Sequence, residues 1–275
     1  MSDRAADASG ATGGVEADEE PTADADASTD GPTADRDWPT IDWDAFWRAP
    51  LTPADRDAMC RRGHDAARLL GDLFVECGVP DTVASVGCGA AVVLLDLAEE
   101  FPDTAFRGYD PAPAALERAR ANRDGRAASD GPLAPDRDIA DVTFAAASLP
   151  DPAVDRTFDV VYCLNTLDYV PDIERALRDL FDLVADGGLL VFNYPSPARQ
   201  AWYETHLANP GDYWLGEHDE RWLRRRLRLV DTGENVLTRE QVAGLLGREP
   251  RPVGAFLEGV TPNPDPVAPV LAVEE

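Results

Sequence analysis

Between Asp81 and Tyr194, short apolar runs alternate with amphipathic stretches. Thr82–Gly87, Thr104–Tyr109, Asp141–Ala145, Phe158–Leu164 and Leu189–Tyr194 are rich in β-branched and aromatic residues and bounded by turn formers, which predicts strands. Ala90–Phe101, Ala112–Arg123 and Asp172–Ala185 space their apolar residues as helices do, and Asp186-Gly-Gly188 predicts a turn into the fifth strand. Such alternation predicts a parallel sheet with helices on both faces. Upstream, Met59, Ala66, Leu69, Leu70, Leu73 and Phe74 form one apolar face of a long helix, Pro53 to Cys77, which Gly78-Val-Pro80 stops. Downstream, Pro195–Val230 is polar and aromatic and predicts an insertion with two helices. Thr238–Leu246 follows as a short helix opened by a Thr-x-x-Gln cap. Arg251–Phe256 and Val267–Val273 predict two closing strands in an antiparallel hairpin, for seven strands in all.

Three boundaries follow. Residues 1–37 hold 11 acidic residues, two arginines and no aromatic, too little apolar surface to offset chain entropy, so a disordered acidic tail is expected. Residues 38–80 form an N-terminal aromatic and helical cap that begins with Trp38, Trp43, Phe46 and Trp47. Residues 81–275 form the α/β domain, with 195–230 as an inserted cap and Asp124–Asp138 as a surface loop.

Charge changes this picture more than bulk composition does. The net charge is -27, and every basic residue is Arg. Self-repulsion of that size opposes compaction at low ionic strength but is screened within a few ångströms in molar salt. The composition therefore points to a cytoplasmic protein of a halophilic, archaeal type of cell. In such a protein acidity says little about partners, although it does not favour nucleic acid. Cys60, Cys77, Cys88 and Cys163 lack metal-ligand spacing, and His64, His206 and His218 are scattered, so no metal site is expected. The N-terminus lacks a signal-peptide pattern, and no apolar run is long enough to span a bilayer.

The candidate chemistry lies at strand ends. Ser85-Val-Gly87-Cys88-Gly89-Ala90-Ala91 runs from a strand through a small-residue turn into a helix, where backbone and free N–H groups can approach an anionic ligand. It is not a dinucleotide fingerprint, because Val92 holds the sixth position. Asp110, 23 positions after Gly87, ends the next strand, where a carboxylate can take both hydroxyls of a ribose or cap the following helix.

With Gly108-Tyr-Asp110, Phe158-Asp-Val-Val-Tyr-Cys-Leu-Asn165 and Ala185-Asp-Gly-Gly-Leu-Leu-Val191 in order behind it, this stretch resembles the class I methyltransferases that use S-adenosylmethionine (SAM). The resemblance covers Asp81–Tyr194 and implies a Rossmann-like, mostly parallel seven-stranded sheet with an antiparallel last strand. It implies that Ser85, Gly87, Cys88 and Gly89 border the methionine part of SAM and that Asp110 binds the ribose. Tyr109 or Pro111 would flank the adenine, with Ser148 standing where the family often has an acidic residue. Leu164 and Asn165 would face the sulfonium. The family's first motif usually has a third glycine where this chain has Ala91, which is compatible with the motif if its φ is negative. The end of the fourth strand, Asn165-Thr-Leu-Asp168, differs from the Asn-Pro-Pro-Tyr of DNA-adenine and glutamine modifiers.

Methyl transfer is expected to rest on alignment, with a base needed only for acceptors that lose a proton. Asn165, Asp168 and Tyr169 are the catalytic candidates, joined by His206 and His218 as possible bases. Trp43, Trp47, Tyr194, Trp202, Tyr203 and His206 are the substrate candidates, in segments that also hold Tyr213, Trp214 and Trp222. A small-molecule acceptor in a capped site is expected; the alternatives are RNA or protein methylation, for which Arg221–Arg228 would supply a basic groove, and SAM or nucleoside binding without catalysis. Oligomeric state is not readable from the chain. Dialysis from molar KCl into low-salt buffer is expected to abolish most of the far-ultraviolet circular dichroism. An unchanged spectrum would contradict adaptation to salt.

Overall fold

A computed structural model describes residues 40–50, 53–129, 141–209, 220–258 and 269–275. The expected tail, Trp38, most of the 124–138 loop, Tyr213, Trp214 and His218 lie outside the described residues. The strands are β1 Thr82–Val86, β2 Ala105–Asp110, β3 Val142–Ala146, β4 Phe158–Cys163, β5 Val184–Phe192, β6 Arg251–Pro252 and β7 Leu271–Glu274. They form one sheet in the order β3-β2-β1-β4-β5-β7-β6. The first five are parallel, and β7 runs antiparallel to both β5 and β6. The chain reverses its direction of travel across the sheet between β1 and β4, so the crevice outside their C-terminal ends is where such folds bind ligands.

Both faces of the sheet are covered because its strands alternate apolar residues to two sides. Val83, Phe106, Val160, Tyr162 and Val191 pack into one core with α2 Pro53–Cys77 and α3 Val92–Glu100. Ala84, Val86, Val161, Leu190 and Phe192 pack into another with α5 Ile173–Asp182 and α9 Arg239–Leu246. In α5, Ile173, Ala176, Leu177 and Leu180 repeat at helical spacing and are all buried, and Asp172 caps the helix by accepting from the Arg175 N–H (3.2 Å). α2 approaches α3 closely at Gly63, where a Cβ would come within 2.6 Å of Val92 Cγ1. Thr238 and Gln241 form the expected capping box on α9. Among the described residues no helix is long and apolar enough to cross a membrane.

Three local expectations change. The helix α4, Pro113–Ser129, runs six residues past Arg123 into the expected loop. Tertiary ion pairs extend it, since Arg126 Nη1 reaches Asp96 (2.8 Å) and Glu99 (2.9 Å) on α3. Asp186-Gly-Gly188 lies inside β5 as an irregularity, with the register against β4 shifting between Phe158 and Val160. Gly188 is needed there because a Cβ would sit 2.6 Å from the Asp159 carbonyl oxygen. The strand expected over Arg251–Phe256 is two residues long. After Pro252, which has no N–H for a ladder, the chain tightens into the 3₁₀ turn Val253–Ala255.

Candidate active site

The turn after β1 is held from below by β2. The Gly87 and Cys88 N–H groups both donate to the Tyr109 carbonyl (2.7 and 2.9 Å). The Asp110 carboxylate completes the tie, with Oδ2 accepting from the Gly89 N–H (2.9 Å) and Oδ1 from the Ala112 N–H (3.0 Å). Asp110 is only 7 % exposed. Burial pushes its carboxyl above the ordinary range, against the two N–H bonds that pull it down. Gly87, Gly89 and Ala91 all have positive φ, at 77°, 53° and 60°. The condition of a negative φ at Ala91 is not met: this alanine occupies the left-handed region at a cost of about 1–2 kcal/mol. It does so to complete the turn that precedes α3, whose first residue is Val92 rather than Ala90.

Side chains from elsewhere lie directly on this turn. A Cβ on Gly87 would fall 2.1 Å from Thr166 Oγ1, and one on Gly89 would fall 2.8 Å from Trp47 Cζ2. Trp47 belongs to α1 Trp43–Arg48, which docks on the start of α4 through two hydrogen bonds. Buried Asp44 pairs with Arg48 and accepts from the Ala114 N–H (2.8 Å), while Arg118 Nη2 donates to the Trp47 carbonyl (2.6 Å).

At the tip of β4, Asn165 sits at φ 54°. Its N–H donates to Asn193 Oδ1 (2.7 Å), and Asn193 Nδ2 donates back to Asn165 Oδ1 (3.2 Å), locking the ends of β4 and β5 together. The one-turn helix Leu167–Tyr169 follows. Asp168, 2 % exposed, receives bonds from Arg199 Nε and Nη2 and from the Tyr203 hydroxyl (2.9 Å). Arg199 and Tyr203 belong to α6 Pro197–Ala208, so this buried ion pair fastens the insertion to the sheet. Asn235 Nδ2 adds bonds to the carbonyls of Leu167, Asp168 and Val170. Tyr169 packs on Trp43 with ring centroids 4.5 Å apart, and its hydroxyl accepts from Arg226 Nε (3.1 Å). Arg226, the last residue of α7 Glu220–Arg226, which α8 Arg228–Asp231 follows, is 6 % exposed and lies 5.2–5.4 Å from the ring centroids of Trp43, Phe46, Tyr169 and Trp222.

Two cavities open at these strand ends. One, of about 230 Å³, is lined by Asp110, Pro111, Ser148, Leu149, Val170 and Pro171, among others. The other, of about 200 Å³, is lined by Phe46, Ser85, Cys88, Leu164, Tyr203 and three arginines, among others. Both are bordered by Trp43, Trp47, Gly87, Gly89, Asn165, Thr166 and Tyr169, so they are two lobes around one strand tip. Five described sequence candidates line neither cavity, among them Asp168, which Arg199 and Tyr203 hold. Tyr109 packs edge-on against Phe158, and Tyr194 packs beside Phe192 in the core. His206 stacks on Trp202 at 3.7 Å with its Nδ1 2.8 Å from the Trp202 carbonyl oxygen. In the arginine run Arg221 is exposed, and the other four are engaged or buried. Arg224 pairs with Glu220, Arg228 with Glu234, Arg225 donates to the Thr40 carbonyl, and Arg226 is buried. Sequence reasoning missed Asp44, Thr166, Asn193 and Arg199, and singled out Arg226 only as one of the Arg221–Arg228 run. Asp44, lodged among the aromatics of α1, and Thr166, between Asn165 and Asp168, stood near a visible signal.

A family model described as a methyltransferase domain matches residues 59–246. A trans-aconitate 2-methyltransferase of Methylobacterium radiotolerans is 31% identical over 151 residues, covering 55% of this chain and 50% of that protein. One of Streptomyces coelicolor is 28% identical over 165 residues, covering 58% and 48%. The chain thus spans about half the length of these relatives. Among solved structures, magnesium protoporphyrin IX methyltransferase from Synechocystis with bound S-adenosylhomocysteine (SAH) aligns at a TM-score of 0.54 and 14% identity, over 85% of this chain and 94% of that one. The likeness shows a shared fold.

The buried pair yields a stability prediction. Asp168→Asn leaves Arg199 without its carboxylate and is expected to lower unfolding free energy by about 3–5 kcal/mol. Glu234→Gln, which breaks an exposed pair with Arg228, is expected to leave stability nearly unchanged. Denaturant unfolding of both variants in molar salt checks this; equal losses would contradict the clamp.

Proposed function

This chain belongs to the SAM-dependent methyltransferases, and from that premise we propose that it transfers the SAM methyl group to a small molecule held in the arginine-lined cavity. The observation that carries this reading is the meeting of the two cavities at Gly87, Asn165 and Thr166, which sets a donor lobe beside an acceptor lobe.

The donor lobe has the chemistry that adenosine needs. Each Asp110 oxygen accepts one N–H bond and retains a further lone pair for a ribose hydroxyl. Pro111, Leu149, Val170 and Pro171 offer apolar walls to a flat base, and Ser148 offers it a polar contact. Gly87 and Gly89, which border both lobes, lie where the amino-acid end would reach from one toward the other.

When bound, SAM supplies a methyl group on a sulfonium, which an acceptor lone pair displaces in line. The protein's own part is to align and to exclude water. Asn165, fixed by Asn193, stands between the lobes, while Trp43, Trp47 and Tyr169 wall both of them. Asp168 is held by Arg199 and Tyr203, so we assign it a positioning role rather than that of a base. Relatives named for trans-aconitate and for ubiquinone biosynthesis support a small-molecule acceptor. The engagement of Arg224, Arg225 and Arg228 in ion pairs and backbone bonds weighs against RNA.

The test incubates the protein in molar KCl with methyl-labelled SAM and, separately, trans-aconitate, a low-molecular-weight cell extract, total RNA and total protein. Label is expected in a low-molecular-weight product. Label confined to RNA or protein would overturn the reading.

A further inference from the structure

Tyr162 is a polar residue in an apolar place. On β4 it lies between Ser85 of β1 and Val191 of β5, on the face of the sheet that packs against α2 and α3. The residue is 2 % exposed, and its hydroxyl has no hydrogen-bond partner among the described residues. Ser85 lies opposite in register, but no hydrogen bond of ordinary geometry joins the two hydroxyls. A buried hydroxyl left unpaired costs stability, so a ligand that pairs it gains a bond without displacing a protein partner. Tyr162 and Ser85 both line the cavity of about 200 Å³. Resting on the function proposed above, we propose that the Tyr162 hydroxyl binds the amino-acid end of SAM and so sets the protein's preference for a cofactor that carries that end.

The lining of this cavity falls into two groups by origin. Trp43, Phe46, Tyr169, Tyr203 and Arg226 come from the capping segments and the turn after β4, and they wall the side we give to the acceptor. Ser85, Tyr162 and Leu164 come from β1, β4 and its tip, while Gly63, Ala66 and Val92 come from the helices that cover them. α2 closes on α3 at Gly63, beside Val92, so this second group encloses a narrow slot. Side chains alternate along a strand, so Ser85 shares a face with Gly87, and Tyr162 with Leu164, which lie nearer the strand ends. Two strand residues span roughly 7 Å. That is the reach of a short aliphatic arm that leaves the donor lobe at Gly87 and ends in a polar head beside the two hydroxyls. Leu164 and Val92 offer the arm apolar contact.

The chemistry of the hydroxyls suits that head. An α-amino-acid group carries an ammonium and a carboxylate, so it needs donors and acceptors together while its net charge is zero. A hydroxyl both donates and accepts, and it adds no charge. Burial pushes the Tyr162 phenol upward more than the Ser85 hydroxyl beside it pulls it down, so the phenol stays protonated and keeps both capacities. No Asp or Glu among the described residues lines the cavity, so neutral oxygens are what it offers the ammonium. A hydrogen bond between such an oxygen and a charged group is stronger than one between two neutral partners.

The test is calorimetric titration, in molar KCl, of the native protein and Tyr162→Phe with SAH and with 5′-methylthioadenosine. The second ligand keeps the nucleoside and the sulfur but lacks the amino-acid end. The native protein is expected to prefer SAH by about tenfold or more, and Tyr162→Phe to lose about tenfold or more in SAH affinity. Its affinity for methylthioadenosine is expected to stay within about twofold of native, whereas a general disturbance of the fold would weaken both ligands alike. Thermal unfolding without ligand adds a second readout. Because the hydroxyl has no protein partner, Tyr162→Phe is expected to melt at or above the native temperature. A variant that does not fold, melts well below the native protein, loses both ligands equally or binds SAH as the native protein does would overturn the assignment alone. So would a native protein that binds the two ligands equally well. If the native protein binds neither, the function on which the assignment rests fails with it.

Discussion

The buried carboxylate of Asp110 is the constraint on which the site depends. It has two oxygens and three tasks: to fix the Gly89 N–H, to fix the Ala112 N–H and to face the donor lobe. The first two tasks set the geometry that makes the third possible. Without them the turn after β1 would lose its tie to β2, and the left-handed conformations of Gly87, Gly89 and Ala91 would lose the frame that offsets their strain. Burial raises the proton affinity of this group, against the two N–H donors that lower it. The parallel register carries this order into the rest of the sheet, because Ser85 lies opposite both Gly108 and Tyr162.

Around that frame, two added segments turn a shallow crevice into an enclosed one. α1 is fastened to the start of α4 by Asp44 and Arg118, which brings Trp43 and Trp47 over the strand ends. The insertion is fastened by Asp168 and Arg199, which brings Tyr203 and Arg226 to the same place. The second fastening is an ion pair shielded from solvent, so it resists screening better than exposed pairs do in strong salt. Alignment and exclusion of water are what methyl transfer requires of a protein, and both follow from this packing rather than from an acid or a base.

The fold was legible because it is written in local pattern. Alternating strands and helices, the Gly87-Cys-Gly89 turn, the cap at Thr238 and the position of Asp110 each depend on residues close together in the chain. What the pattern missed depends on distant partners. Asp44 meets Ala114 across 70 positions, Asp168 meets Arg199 across 31, and Arg226 meets Tyr169 across 57. Aromatic content marked the two capping segments but not which rings would face the cavity. Trp202 and His206 satisfy each other, while Tyr203, one position from Trp202, turns inward. At Ala91 the residue type favoured a negative φ, and the tertiary frame imposed a positive one.

The central claim, that Asp110 organises a cleft for the adenosine of SAM, is tested most directly by calorimetric titration of SAH into the native protein and into Asp110→Ala in molar KCl. Two charge-assisted bonds to the ribose, at about 1.5–3 kcal/mol each, predict at least a hundredfold loss of affinity in the variant. The native affinity should also weaken as pH falls, because the ionised carboxylate is the acceptor. The weakening should set in above the ordinary Asp range, since burial raises the carboxyl's pKa. A folded Asp110→Ala protein that binds SAH as tightly as the native one would contradict the account, as would a native protein that does not bind it.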